Sequence, residues 1–475
     1  MTERLSSADA AFLYLEDRAR PQHMGSVAIF QPPPEGFDYD RLVTLLEERI
    51  SLVPRYRQKV RQVAGRLANP VWVDDPNFDL TYHVRRSALP RPGSDGALLE
   101  FCARVQSRLL DRDRPLWEMY LIEGLSDGRV AIVAKTHHAM IDGIGAVNIA
   151  QVLFDASPEP RQTVGALWMP APEPSARELL GEALGAVVRR PSSLADSARF
   201  RAHELKVAAG WLTGVVANAH KSAGVVVRSP RQSPLRARPG EQRRIAIART
   251  RLADYRAISH AHGASVNDVV LATVAGGLRR WLTARGQVPR PVSTVRTLVP
   301  VSVDDDDPGA ADRAAVDRLG RVTALLVDLP IGDLDPLRRL AQVRFAMGVH
   351  KLSGKSVGAD ALVALSGFAP PTLHSLAARA ANGLTHRMFS LVVANVPGPQ
   401  HPLYAARARM TEMFPVLPLG TEQALSIGLT SYNGGVFFGI NGDRDAAPDV
   451  NLLASCIADS LAELVATVAL SGSDR

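Results

Sequence analysis

Apolar residues recur along this chain at two spacings, and the spacing changes from place to place. Between 40 and 51, Leu42, Leu45, Leu46 and Ile50 stand at helical intervals. Between 98 and 110, Leu98, Cys102, Val105, Leu109 and Leu110 fall on one helical face. Val71-Trp72-Val73 running into Asp74-Asp75-Pro76 predicts a strand that ends in a turn. Residues 116–123 and 129–136 predict two strands joined across Ser126-Asp127-Gly128, because an Asp-Gly pair accepts the positive φ of a tight hairpin. Such a turn pairs residues whose numbers add up to roughly 252–255, which sets Trp117 opposite 135–138. Past a loop ended by Gly143-Ile144-Gly145, residues 146–154 read as an apolar helix.

Later in the chain Gly263 closes a helix, Ser265 has the features of an N-cap, and 266–282 is strongly helical. Strands are expected at 296–303, 322–329, 389–393, 425–430 and 435–440, the last two joined by Tyr432-Asn433-Gly434. A helix at 451–470 closes the sequence. Scattered strands with helices between them suit an α/β chain of the α+β sandwich kind rather than a doubly wound sheet. No GxGxxG or P-loop pattern follows any strand.

The stretch between these regions differs in kind. Pro and Ala cluster at 157–174, and between Arg177 and Arg238 eleven Lys or Arg stand against four acids. The chain therefore divides into a mixed α/β region at 1–160, a basic Pro/Ala-rich linker with amphipathic helices at 161–243, and a second α/β region at 244–475. Leu205, Val207, Trp211, Leu212, Val215 and Val216 interleave with the bases. A helix of that make-up can lie on an anionic membrane or lipid-droplet surface. It can equally pack across both halves with its bases in solvent.

Composition narrows the classes. With 475 residues, 46% hydrophobic and 22% charged, the chain can bury a large core. Lys plus Arg is 55 against 48 Asp plus Glu, a modest net charge of +7, and no aromatic-interleaved basic motif points to nucleic acid. Two distant cysteines, Cys102 and Cys456, read as buried thiols in a reducing compartment. No CxxC or His/Cys ligand spacing suggests a metal. The N-terminus lacks the apolar core of a signal peptide, and no uninterrupted apolar run approaches the ~20 residues that span a bilayer. A cytoplasmic protein is expected, one that can visit a membrane surface.

The segment His137-His138-Ala139-Met140-Ile141-Asp142-Gly143 carries the chemistry. Acyl transfer from a thioester to an alcohol needs a base for the hydroxyl proton, and an imidazole titrates near neutral pH with two separately usable nitrogens. Asp142, four residues on, can orient that ring or shape the loop through an Arg ion pair. Gly143 and Gly145 let backbone approach a ligand. Adjacent histidines on an extended chain point to opposite faces, which disfavours a shared metal. A strand end with two polar residues and a turn Asp-Gly is the plain alternative.

The company this segment keeps resembles the bacterial wax ester synthase/acyl-CoA:diacylglycerol acyltransferase family, in particular its actinobacterial branch. The resemblance runs over essentially the full chain. It is carried by 5–13, Pro21-Gln22-His23-Met24-Gly25, Pro115-Leu116-Trp117, the HHxxxDG segment, Ser265-Val266-Asn267-Asp268, Val299-Pro300-Val301-Ser302 and Asn395-Val396-Pro397-Gly398-Pro399. HHxxxDG alone is shared with peptide-synthetase condensation domains. The family implies two chloramphenicol-acetyltransferase-like halves with an active-site channel between them. It implies a long-chain acyl-CoA as co-substrate, a diacylglycerol or fatty alcohol as acceptor, and no cofactor or metal. It makes His138 the general base, His137 its support and Asp142 a structural residue with an Arg partner, for which Arg296 is the candidate.

Asn267 and Asp268 then border the site, although Ser265-x-x-Asp268 also has capping-box spacing. Trp117, with Pro115 and Leu116 before it, either walls the acyl channel or fills the core. Ala394 stands where a Ser is common and Arg321 where an Asn is common; the second bears on local substrate contacts. A condensation-type enzyme using carrier-bound acyl groups, and a weakly active lipid-binding homologue, are the alternative functions.

Overall fold

Helices that frame the site begin where a short polar side chain takes the first free amide. Ser6 accepts from the Asp9 amide to start Ser7–Leu15, Asp38 starts Tyr39–Arg49, and Ser94 starts Asp95–Gln106. Ser265 and Asp268 form a reciprocal capping box at the head of Val266–Ala284. The computed structural model describes residues 3–64, 68–140, 153–161, 168–189, 235–302, 322–353, 357–358 and 389–472. Most of the basic linker, residues 146–152 of the expected helix at 146–154, Asp142, Gly143, Gly145 and Arg321 lie outside the described residues.

The elements assemble into two large mixed sheets and a small three-stranded one. The first large sheet runs, edge to edge, through Tyr404–Ala405, Ala408–Val416, His23–Gln31, Val130–His137, Trp117–Glu123 and Val84–Ala88. The second runs through Val357–Gly358, Val322–Leu329, Val295–Ser302, Leu391–Pro397, Leu425–Tyr432, Gly435–Asp443 and Arg243–Arg251. The hairpin expected from Asp127-Gly128 forms, with Asp127 at φ 62° and Gly128 at φ 68°, and pairs Trp117 with Thr136.

The chain order does not respect the two sheets. Strand Ala408–Val416, from the second region, pairs antiparallel with His23–Gln31 in the first sheet. Its Pro415 sits against Gly428 and Gly439, which face each other across two paired strands of the second sheet. A Cβ on Gly439 would lie 1.9 Å from the Pro415 carbonyl oxygen, so the close approach requires glycine there. Arg249, on the edge strand of the second sheet, forks onto Glu412 of the crossing strand and also reaches Asp95. Each sheet nevertheless has its own apolar core. Phe414, Tyr432 and Phe437 belong to the first of them.

Two local expectations change. Helix Asp95–Gln106 stops short of 110, and Leu109 is 38% exposed rather than on the buried face. Lys135 and His23 take the terminal carbonyls of that helix and end it. The closing helix, Val450–Gly472, is long and apolar enough by composition to cross a bilayer. Leu453, Ile457, Leu461 and Leu464 bury it in the second core, as expected of a core helix.

Candidate functional site

The strand Val130–His137 runs down the middle of the first sheet and ends in the paired histidines, which turn at once into a short 3-10 segment, His138–Met140. Backbone clamps them from both sides. The His137 amide donates to the Leu116 carbonyl at 2.9 Å, and the His138 amide donates to the Gln22 carbonyl at 2.8 Å. Each histidine is thus tied to a different neighbouring segment, which fixes the strand end from which both rings project.

His137 is fully buried. Its Nδ1 accepts from the Ala139 amide at 3.0 Å, so in the neutral ring the proton resides on Nε2. Nε2 faces Oε1 of Glu16 at 3.5 Å. Glu16 is itself enclosed: its Oε1 accepts from the Gln22 amide at 3.0 Å, and its Oε2 accepts from Arg112 Nη2 at 2.8 Å. Burial raises the Glu16 carboxyl, but hydrogen bonding and charge from His137, Arg112 and the Gln22 amide outweigh it and hold it lowered, at about 2.

His138 has different neighbours. Its ring stacks on Phe12, with centroids 3.9 Å apart and planes 20° from parallel. Its Nδ1 is enclosed and has no hydrogen-bond partner among the described residues. The residue keeps some exposure, yet desolvation of the ring, followed by the charge of His137, pushes its pKa down to about 4. At neutral pH the imidazole is therefore uncharged and able to accept a proton.

Behind the histidines lies a patch of buried polar groups. Lys135, fully buried, donates to the carbonyls of Val105 and Arg108, and burial lowers it to about 8. His23, opposite His137 in the sheet, binds the Gln106 carbonyl at 3.0 Å, and burial holds it well below its ordinary pKa. Together the two side chains complete the open end of a helix, where a cation is favoured.

The other candidate residues divide. Trp117 is 1% exposed; it donates to the Tyr56 carbonyl at 2.8 Å and stacks on His83 at 4.7 Å. Pro115 and Leu116 are buried, and Leu116 acts through its carbonyl on His137. Asn267 accepts from Asn395 at 3.4 Å, so the helix start at 265–268 meets the end of strand Leu391–Pro397. Asp268 spends its carboxylate on the Ser265 amide at 2.9 Å. Arg296 forks onto Asp328, directly across the strand pair, at 2.9 and 3.0 Å. No group of three or more His, Cys, Asp or Glu that could hold a metal ion occurs among the described residues.

Sequence reasoning missed three participants. Phe12 and Glu16, at the end of one short N-terminal helix, touch His138 and His137 respectively. Asp155 is buried with Arg49 at 2.7 Å and bridges to Tyr404 of the second region. The signal in the sequence was Arg49 standing at the apolar spacing of Leu42, Leu45 and Leu46 in its helix.

Comparison with known proteins finds matches along most of the chain. Residues 5–270 match the model of the wax ester synthase/diacylglycerol acyltransferase catalytic domain, and 320–465 match that of the WS/DGAT C-terminal domain. A probable diacylglycerol O-acyltransferase of Mycobacterium tuberculosis is 33% identical over 464 residues, covering 97% of this chain and 96% of that protein. A second from the same organism is 33% identical over 482 residues, covering 97% and 98%. The solved wax ester synthase/diacylglycerol acyltransferase from Marinobacter aquaeolei superposes with a TM-score of 0.69 at 27% identity, covering 98% of this chain and 100% of that one. The starter condensation domain of rhizomide synthetase shares the fold alone, with a TM-score of 0.53 at 14% identity over 98% of this chain and 94% of that one. Two family models in succession, and relatives aligned nearly end to end, place the chain in the wax ester synthase/diacylglycerol acyltransferase family.

Proposed function

We propose that this chain transfers the acyl group of a long-chain acyl-CoA to a hydrophobic alcohol, making triacylglycerol from diacylglycerol and wax esters from fatty alcohols. His138 is the general base. The observation that carries this role is an uncharged, desolvated imidazole held by a backbone clamp and a stacked ring at the end of a central strand. Because Nδ1 is enclosed, the nitrogen that receives the proton is Nε2. The acceptor oxygen loses its proton to Nε2 as it attacks the thioester carbonyl. The tetrahedral intermediate then expels the CoA thiolate, which takes the proton back from the imidazolium.

Direct transfer fits the thiols as well. Burial pushes the Cys102 thiol up to about 12 and raises Cys456, so neither offers a thiolate for a covalent acyl-enzyme. No metal or prosthetic group enters this scheme. The test is ester formation from labelled palmitoyl-CoA with diacylglycerol and with hexadecanol, for wild type and His138→Ala. The variant is expected to fall by roughly 10²–10⁴-fold. Equal activity of the variant would remove the proposed base, and a wild type that binds acyl-CoA without forming either ester would make this a lipid-binding homologue.

A peripheral lipid surface is the partner we assign to this otherwise cytoplasmic enzyme. Helix Pro336–Ser353 supports it: Leu340, Val343 and Met347 face the core, while Leu337, Phe345 and Val349 step outward in one exposed row. Exposed Arg338 and Arg344 accompany that row, and no acidic residue occurs between 336 and 353. Flotation with phosphatidylglycerol vesicles should weaken several-fold in Phe345→Ser. Binding that survives this change but not deletion of 190–234 would assign the docking to the basic linker instead.

A further inference from the structure

A carboxylate that is 1% exposed is an expensive thing to keep in a protein interior, and its satisfied partners show where that cost is directed. One oxygen of Glu16, Oε1, accepts from the Gln22 amide at 3.0 Å and stands 3.5 Å from His137 Nε2, in contact but beyond a well-formed hydrogen bond. The Gln22 carbonyl, across the same residue, accepts the His138 amide at 2.8 Å. The second oxygen is held by Arg112, which also donates to the Leu13 carbonyl at 2.7 Å and so locks the helix end to the carboxylate. That helix carries Phe12, the residue stacked on the His138 ring.

Among the described residues, the supports of His138 thus lead back to one place. Its amide runs through Gln22 to Glu16, its neighbour's ring rests on Glu16, and its own ring lies on Phe12 four residues before Glu16. We infer that Glu16 is the positioning residue of the site: its carboxylate ties the Gln22 segment, the His137 ring and the Phe12 helix together, and so sets where the His138 imidazole stands. This rests on the reading of His138 as the base. Arg112, His137, His23 and Lys135 are the charged or titratable groups around the carboxylate.

Glu16→Gln keeps the size and one acceptor oxygen but removes the charge and sets an amide N–H against Arg112. With palmitoyl-CoA and the better acceptor, kcat is expected to fall about 10²-fold, as a displacement near 1 Å can produce, while KM for acyl-CoA stays within about two-fold. Freed from its clamp, the ring gains water, so the acid limb of kcat moves up from about 4 toward the ordinary histidine value. A merely structural role would move the unfolding midpoint and leave both kcat and the limb in place, and that result would overturn the inference.

Two controls keep the test decisive. Arg112→Gln loosens the carboxylate from its half-exposed side and is expected to give a smaller shift in the same direction if Glu16→Gln fails to fold. Titration of nitrogen-labelled histidines by NMR reads His138 without any substrate. An inert wild type in which Glu16→Gln still raises the His138 titration point would sink the enzymatic reading and keep the positioning role. An unmoved titration point would sink the positioning role itself.

Discussion

The two large sheets are built alike and treat ionisable groups differently. In the first, the ground beside the histidines is packed with buried polar chemistry, Glu16, His23, Lys135 and His137, and the same core region holds Arg49 with Asp155. In the second, the core around helix Val266–Ala284 is largely apolar. Its buried charges, Arg243 with Asp443 and Arg339 paired to Glu463, sit on the last two strands and on the covering helices, and the Arg296–Asp328 pair is partly open to water. Desolvating charge costs several kcal/mol per ion unless partners are in place, whereas aliphatic packing gains from every contact. The first sheet therefore reads as the part that holds a reactive group in register. The second reads as a scaffold, joined to the first by the crossing strand and the glycine notch under Pro415.

The sharpest way to break that contrast is at Asp155. Removing its charge in Asp155→Asn strands the buried Arg49 guanidinium and is expected to destabilise the fold by about 3–5 kcal/mol in denaturant titrations. A cost under 1 kcal/mol would mean that the buried pair is not what anchors the chain at Asp155.

The pH dependence of turnover sharpens it next. A base whose pKa is lowered to about 4 stays uncharged from neutrality down to that value. The acid limb of the rate should then lie near 4 instead of near the usual 6.5, measured by brief assays after a pH jump. Stability follows the same sign: between the two values the unfolded chain binds more protons at His138 than the folded one, so acidification through that window weakens the fold. A limb at the ordinary histidine value would show that the ring is better solvated than its packing suggests.

The smallest effect belongs to the scaffold. Arg296→Gln removes an exposed fork and is expected to cost no more than about 1 kcal/mol. If ester formation falls tenfold while stability holds, Arg296 also serves the segment that carries Asp142, and the contrast between the sheets narrows.

Much of this was readable beforehand, and for reasons that can be named. The Asp127-Gly128 turn is a local preference strong enough to set a register, so Trp117 opposite Thr136 follows from residues close together in sequence. Strand Val322–Leu329 and helix Val450–Gly472 announced themselves by long apolar runs. Strand Ala408–Val416 did not, because Arg409, Thr411 and Glu412 interrupt its pattern and its partner is nearly four hundred residues away in sequence. Trp117 was legible as a large apolar side chain, but its commitment to Tyr56 and His83 was not.

On its own the sequence determined the chemistry available: two adjacent histidines at a strand end, a capped helix bearing Asn267 and Asp268, and no nucleotide-binding pattern. Those depend on residue type and short spacing, which a linear reading preserves. Only the tertiary structure decided which histidine is enclosed against a carboxylate and which lies on a phenyl ring. Both assignments depend on Phe12, Glu16, Gln22 and Arg112, brought together from three segments. Burial sets the charge state of each group there, and burial is a property of the packed chain that no single segment contains.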